Sequence, residues 1–167
     1  MALLSSLIWQ KNTTTKPMET KHYKLTDETK TYGGLTLYRI ELTKDCKWGK
    51  SGDVGGWVEK QDNLIGDAWV SGDAMVSGNA RVYGNAWVYG NAMVSGGQWD
   101  TSPLQIQGSK HYFNVCDVGK IRIGCILKSI DEWERDFEQV GKKQGYTEEQ
   151  IREYGLYIQL AKQLYGN

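Results

Sequence analysis

Between Gly66 and Ser95 one six-residue phrase occurs five times: Gly-Asp-Ala-Trp-Val-Ser, Gly-Asp-Ala-Met-Val-Ser, Gly-Asn-Ala-Arg-Val-Tyr, Gly-Asn-Ala-Trp-Val-Tyr and Gly-Asn-Ala-Met-Val-Ser. A fixed short period constrains a fold more tightly than any other sequence signal. Within each phrase Ala and Val are two residues apart, so on a strand both point to one side. The residue between them and the residue after Val point to the other. Gly followed by Asp or Asn is turn chemistry. Period six does not fit 3.6 residues per turn, which excludes an α-helix. The pattern predicts short strands and tight corners, repeating as a parallel β-helix with Ala and Val inside.

Counting back in sixes from Val70 reaches Leu64 and Val58. Counting forward from Val94 reaches Asp100, a break, and then Ile106, with Leu104 in the Ala position. The repeat is therefore expected over 55–109; it resembles the left-handed β-helices, in which three hexapeptides make one coil, and that resemblance implies about three coils of eighteen residues, a prism only ~15 Å tall. So short a stack needs a cap at each end.

The flanking segments supply candidates for the caps. Residues 1–17 hold an apolar run, Ala2 to Trp9, followed by a Thr-rich stretch. The run has no preceding charge and is too short to span a membrane, so neither a signal peptide nor a span is expected. The segment reads as a loose N-terminal tail. Residues 18–54 read as an N-terminal cap hairpin: a short strand at Tyr23–Leu25, a turn at Asp27–Lys30, and a strand at Leu35–Leu42 after the Gly33-Gly34 corner. Gly49-Lys50-Ser51 does not complete a phosphate loop, because that motif's first glycine would fall on Lys44. Residues 110–128 hold two strands, Tyr112–Val115 and Lys120–Ile123, expected to extend the last coil. Residues 129–167 read as a C-terminal helical hairpin, opened by capping boxes at Ser129–Glu132 and Thr147–Gln150. Its apolar stripes are Ile130, Trp133, Phe137 and Val140, then Ile151, Tyr154, Ile158, Ala161 and Leu164.

Charge and cysteine content narrow the function classes. Twenty basic residues balance twenty acidic ones, so no basic footprint points to sequence-specific nucleic-acid binding. Residues 1–50 carry nine basic and five acidic side chains, and 53–100 carry two and six. Cys46, Cys116 and Cys125 lack metal-ligand spacing and read as reduced thiols of a cytoplasmic protein. No His/Cys/Asp cluster has metal-ligand spacing either, so no metal or other cofactor is expected.

The run Leu35-Thr36-Leu37-Tyr38-Arg39-Ile40, then Gly52-Asp53-Val54-Gly55-Gly56-Trp57-Val58-Glu59, then the hexapeptides, resembles phage and prophage hexapeptide-repeat proteins. So does the ending Ile123-Gly124-Cys125 through Gly145-Tyr146-Thr147 to Tyr154-Gly155-Leu156-Tyr157-Ile158. The resemblance covers roughly 22–165. It implies a left-handed parallel β-helix and a mobile-element origin, and brings no catalytic residues.

Positions eighteen apart should stack on one outer face. The first face would carry Trp57, Met75 and Met93. The second would carry Arg81 below Trp99, as a cation–π pair, with Tyr83 beside them. The third would carry Trp69 and Trp87, with Tyr89. Apolar ladders of this size are usually covered by something. The terminal elements are expected to cover one or two faces. The remaining one, built from Trp69, Trp87 and Tyr89 or from Arg81, Tyr83 and Trp99, is expected to bind a host or phage protein, or a second copy in a dimer or trimer. A host defence complex to be inhibited is the target that a phage origin suggests. Two alternatives stand beside this non-enzymatic reading. A hexapeptide-repeat acyltransferase using acyl-CoA would need a histidine base, and the chain offers only His22 and His111, both outside the repeats. A structural or assembly role would need open ends.

Overall fold

A computed structural model describes residues 21–166 of the chain. The N-terminal apolar run and the tail expected over 1–17 lie outside the described residues. The chain is mainly β with two C-terminal helices.

The first strands are β1 (Tyr23–Tyr32) and β2 (Leu35–Leu42), joined by the Gly33-Gly34 corner and paired antiparallel. The turn expected at Asp27–Lys30 does not form. That stretch stays in β1 as a bulge between Leu25 and Thr29, where Thr26 Oγ1 accepts from the Glu28 N–H. Pairing with β2 on both sides of the bulge outweighs the local turn preference. β3 (Val54–Val58) then pairs antiparallel with β2, on the edge opposite the one that meets Met75–Val76, so the hairpin prolongs that ladder beyond its first strand. It satisfies an edge that β3 would otherwise expose, and its Tyr23, Ile40 and Leu42 join the core of the repeat. Gly55 and Gly56 lie within β3. A Cβ on Gly55 would stand 2.6 Å from both Ile40 Cγ1 and Trp69 Cζ2, and 2.7 Å from the Val70 carbonyl oxygen. Gly55→Ala should therefore cost about 1–3 kcal/mol through overpacking, read as a lower urea midpoint. An unchanged midpoint would show that this approach is looser than the geometry gives.

The five phrases become five two-residue strands: β4 (Trp69–Val70), β5 (Met75–Val76), β6 (Arg81–Val82), β7 (Trp87–Val88) and β8 (Met93–Val94), followed by β9 (Gln98–Trp99). They pair parallel in three ladders, β3-β5-β8, β4-β7 and β6-β9. The step is eighteen residues in the first two: Trp57 to Met75 to Met93, and Trp69 to Trp87. Leu64 bridges Val82 at the same step. Val58, Leu64, Val70, Val76, Val82, Val88 and Val94 are all buried, as are Ala68, Ala74, Ala80, Ala86 and Ala92.

The third ladder drops one residue. Val82 pairs with Trp99, not with Asp100, and Arg81 pairs with Gln98. Trp99 therefore takes the inward position and is buried, which corrects its expected place outside, above Arg81. The skip falls at Gly96-Gly97, where Gly97 adopts a φ of 81° and the Trp99 indole N–H donates to the Gly96 carbonyl at 2.8 Å. Burying a whole indole outweighs keeping the count of six.

Parallel pairing stops there, short of Gly108. β10 (Gln105–Gln107), β11 (Tyr112–Asp117), β12 (Lys120–Ile123) and β13 (Ile126–Ser129) form a separate antiparallel sheet in that order. Side chains of this region stand in for the missing next strand. Ser102 Oγ accepts from the Trp87 N–H and Gln105 Oε1 from the Tyr89 N–H, both at 2.9 Å. Gln105 Nε2 donates to the Trp87 carbonyl, while Asn114 accepts from the Met93 N–H through Oδ1 and donates to the Met93 carbonyl through Nδ2.

α1 (Ile130–Lys143) and α2 (Glu148–Tyr165) begin at the two capping boxes as expected. They close the far end of the repeat. Trp133 Nε1 donates to the Ile121 carbonyl, Tyr157 meets Phe113 edge-on, and Tyr165 meets Trp99. Gly155 lets α2 approach the Phe137 ring, where a Cβ would be 2.8 Å away. Leu164 was expected in the buried stripe but is exposed, because the bulkier Tyr157 and Tyr165 take the contacts with the body.

Candidate functional site

The three outer faces expected from the sequence end up unlike one another. On the first, Trp57 and Met75 are buried with Leu37 of β2, and Met93 packs beside them. Lys30 Nζ and the Arg39 guanidinium stand 4.4 Å and 4.9 Å from the Trp57 ring centre. The hairpin thus covers this ladder. On the second, Arg81 is exposed and Tyr83 half-buried, and with Trp99 turned inward the expected cation–π pair does not form. Arg81 instead borders a polar cleft with Lys60, Asp62 and Gln98.

The third keeps an open aromatic patch. Trp69 and Trp87 are ladder partners, yet Trp69 is 4% exposed and Trp87 40%. The difference comes from the N-terminal elements, which lay His22 (ring centres 5.8 Å apart) and the Gly55 backbone against Trp69. Trp87 stacks at a tilt on Tyr89, 4.8 Å away, and Tyr89 is 38% exposed. Trp48 joins from the loop before β3, with its ring 5.6 Å from Trp87. Its indole N–H donates to the Asp67 carbonyl, and Lys47 Nζ lies 4.6 Å over its ring. The Trp87 indole N–H donates to Ser71 Oγ at 2.8 Å, and the Tyr112 hydroxyl donates to the Tyr89 carbonyl at 3.1 Å. Both peptide groups of Trp87 and the Tyr89 N–H are held by Ser102 and Gln105.

Of the residues singled out in the sequence, the structure brings together Trp69, Trp87 and Tyr89, places Arg81 and Tyr83 on another ladder, and buries Trp99. Sequence reasoning missed Trp48. It lies in a Gly-rich loop outside any period, and no local signal ties it to a residue thirty-nine positions later.

This repeat is of the β-solenoid kind. The family model described as YdcK Beta solenoid repeat matches residues 68–84, 74–89 and 86–101. Those stretches cover the ladders from β4 to β9 and leave the hairpin, the antiparallel sheet and the helices unmatched. No curated protein and no solved structure matches the chain.

Beyond the solenoid, His111 is a joint between the antiparallel sheet and the helices. Its Nδ1 is in hydrogen-bond contact with the Tyr146 hydroxyl, and the Tyr154 hydroxyl accepts from the Lys110 N–H at 3.2 Å. Burial pushes the Tyr146 phenol up to about 12. The adjoining cavity, lined by Ile123, Trp133, Phe137, Val140 and Ile151, holds about 40 Å³, far below the roughly 300 Å³ at which ligand pockets begin. All three cysteines are free, and burial pushes the Cys116 thiol up to about 11. Among the described residues no group of three or more His, Cys, Asp or Glu side chains is placed to hold a metal ion. No helix among them is long and apolar enough to cross a membrane.

Proposed function

We propose that this chain is a non-enzymatic binding protein of phage or prophage origin, whose solenoid, wound left-handed, offers a rigid aromatic face to a protein partner in the host cytoplasm. A host defence complex, inhibited by that contact, is the partner class the origin suggests. The observation that carries the reading is the patch of Trp48, Trp87 and Tyr89. Its two outer rings are about two-fifths exposed while their backbone is pinned by ladder bonds and by Ser102 and Gln105. Rigid Trp and Tyr rings lose little entropy on association, and they dominate binding hot spots. The positions of the two imidazoles support binding over acyl transfer. His111 is engaged by Tyr146, and His22 is buried beside Trp69.

The test pairs the parent with Trp87→Ala in capture experiments from host cells, followed by reconstitution of the captured protein. The expected result is a partner whose affinity for Trp87→Ala falls roughly 30-fold or more, as for a hot-spot truncation, while melting stays close to the parent. A reconstituted partner that binds both proteins equally would remove the patch from the interface.

A further inference from the structure

The last helix is apolar on two sides. Tyr154, Ile158 and Ala161 of α2 are buried against the body, while Leu156, Leu160 and Leu164 are 60%, 40% and 59% exposed among the described residues. These leucines are four apart and form one outer stripe. The stripe borders a groove between the helices, lined by Phe137, Ile151 and Leu156 together with Glu138, Glu148 and Arg152. A helix that is apolar all round is normally covered all round. A second copy fits poorly as the cover, because three part-exposed leucines offer only a few hundred Å² against the ~800 Å² per partner of a stable interface. A short segment of the same chain needs far less contact, since its linker holds it near the stripe at an effective concentration around millimolar.

The chain supplies such a segment. Residues 1–20 lie outside the described ones and hold the apolar run Leu3-Leu4-Ser5-Ser6-Leu7-Ile8-Trp9. Leu3, Leu4, Leu7 and Ile8 recur at helical spacing, in the same four-residue step as the stripe. The described chain starts at the foot of the third ladder, where Lys21 Nζ donates to the Leu64 carbonyl at 3.1 Å. From Leu64 the ladder climbs through Val82 to Trp99, two rungs of ~4.8 Å. The Trp99 ring then meets Tyr165, the neighbour of Leu164, at 5.9 Å. Passing round a helix ~10 Å across brings the whole path to roughly 30 Å. The twelve steps from Trp9 to Lys21 span up to about 40 Å. Charge agrees with the fit. Residues 1–17 carry Lys11 and Lys16 and no acidic side chain, whereas α1 and α2 together carry eight acidic and five basic ones.

We infer that the N-terminal run, residues 3–9, docks on the leucine stripe of α2 and completes the helical layer, rather than trailing as a loose tail. This face is separate from Trp48, Trp87 and Tyr89, so the inference does not depend on what that patch binds.

A double-mutant cycle in the full-length chain tests it. Leu160 is exposed among the described residues and Leu7 lies outside them, so neither substitution touches the buried core. Leu7→Lys and Leu160→Lys should each lower the melting midpoint by about 3–6 °C. The double variant should fall no further than either alone, because both changes remove one and the same contact. Leu7→Lys and Trp87→Ala should add, since they act on different faces. Parent-like melting of either lysine variant, or additive losses in their double, would overturn the inference. So would coupling of Leu7→Lys to Trp87→Ala, which would lay the run on the aromatic patch. Light scattering reads the last alternative: a parent dimer that Leu160→Lys turns into a monomer would make a second copy the cover, and would equally overturn the inference.

Discussion

Val82→Asp should abolish cooperative folding at ordinary temperature. Val82 is fully buried, with Leu64 bridging it on one side and Trp99 paired on the other. The core around it is built of Val, Leu and Ala side chains that offer a carboxylate no donor, and the Trp99 indole N–H is already bonded to the Gly96 carbonyl. Burying the group without a partner costs more than about 3 kcal/mol even after it takes up a proton. That is a large share of the stability of a domain this size. Thermal melting by circular dichroism reads the effect directly. Arg81→Asp, one residue earlier and exposed, is the control and should stay within about 0.5 kcal/mol. A parent-like melt for Val82→Asp would mean that the Val column is not the core.

Trp99→Ala and Trp87→Ala should separate widely, although both residues looked like outward aromatics in the sequence. Trp99 is 6% exposed, its indole N–H is bonded to Gly96, and its ring meets Tyr165 of α2. Truncation empties the inward position at the end of the third ladder and loosens the seat of the last helix. The expected cost is about 3–5 kcal/mol. Trp87, with two-fifths of its surface in water, loses the Trp48 and Tyr89 ring contacts and the bond to Ser71. That should amount to about 1 kcal/mol. Chemical denaturation of both variants measures the gap. Equal losses would place Trp87 in the core as well, and the patch would no longer be a surface for a partner.

The two helices follow a similar logic. Their capping boxes are local, since Ser129 and Glu132 or Thr147 and Gln150 satisfy each other within one turn, and so they were legible residue by residue. Which leucines of α2 would be buried was not. Leu164 has the right period, but Tyr157 and Tyr165 reach Phe113 and Trp99, and the leucine is left in water.

By itself the sequence determined the repeat and its inside. Glycine corners and the Ala-x-Val spacing are short-range, so the buried column from Val58 to Val94 could be counted out in advance in steps of six. Tertiary structure decided the rest. It absorbed a residue at Gly96-Gly97 because burying the Trp99 indole outweighs periodicity. It set the position of the hairpin by long-range backbone pairing, because the edge of β3 needs partners. It covered Trp69 and left its ladder partner Trp87 open, because His22 and Gly55 reach only the lower rung. It also brought Trp48 to Trp87 from a loop with no period. Contacts between residues far apart in the chain leave no local periodic trace, and the candidate site consists almost entirely of such contacts.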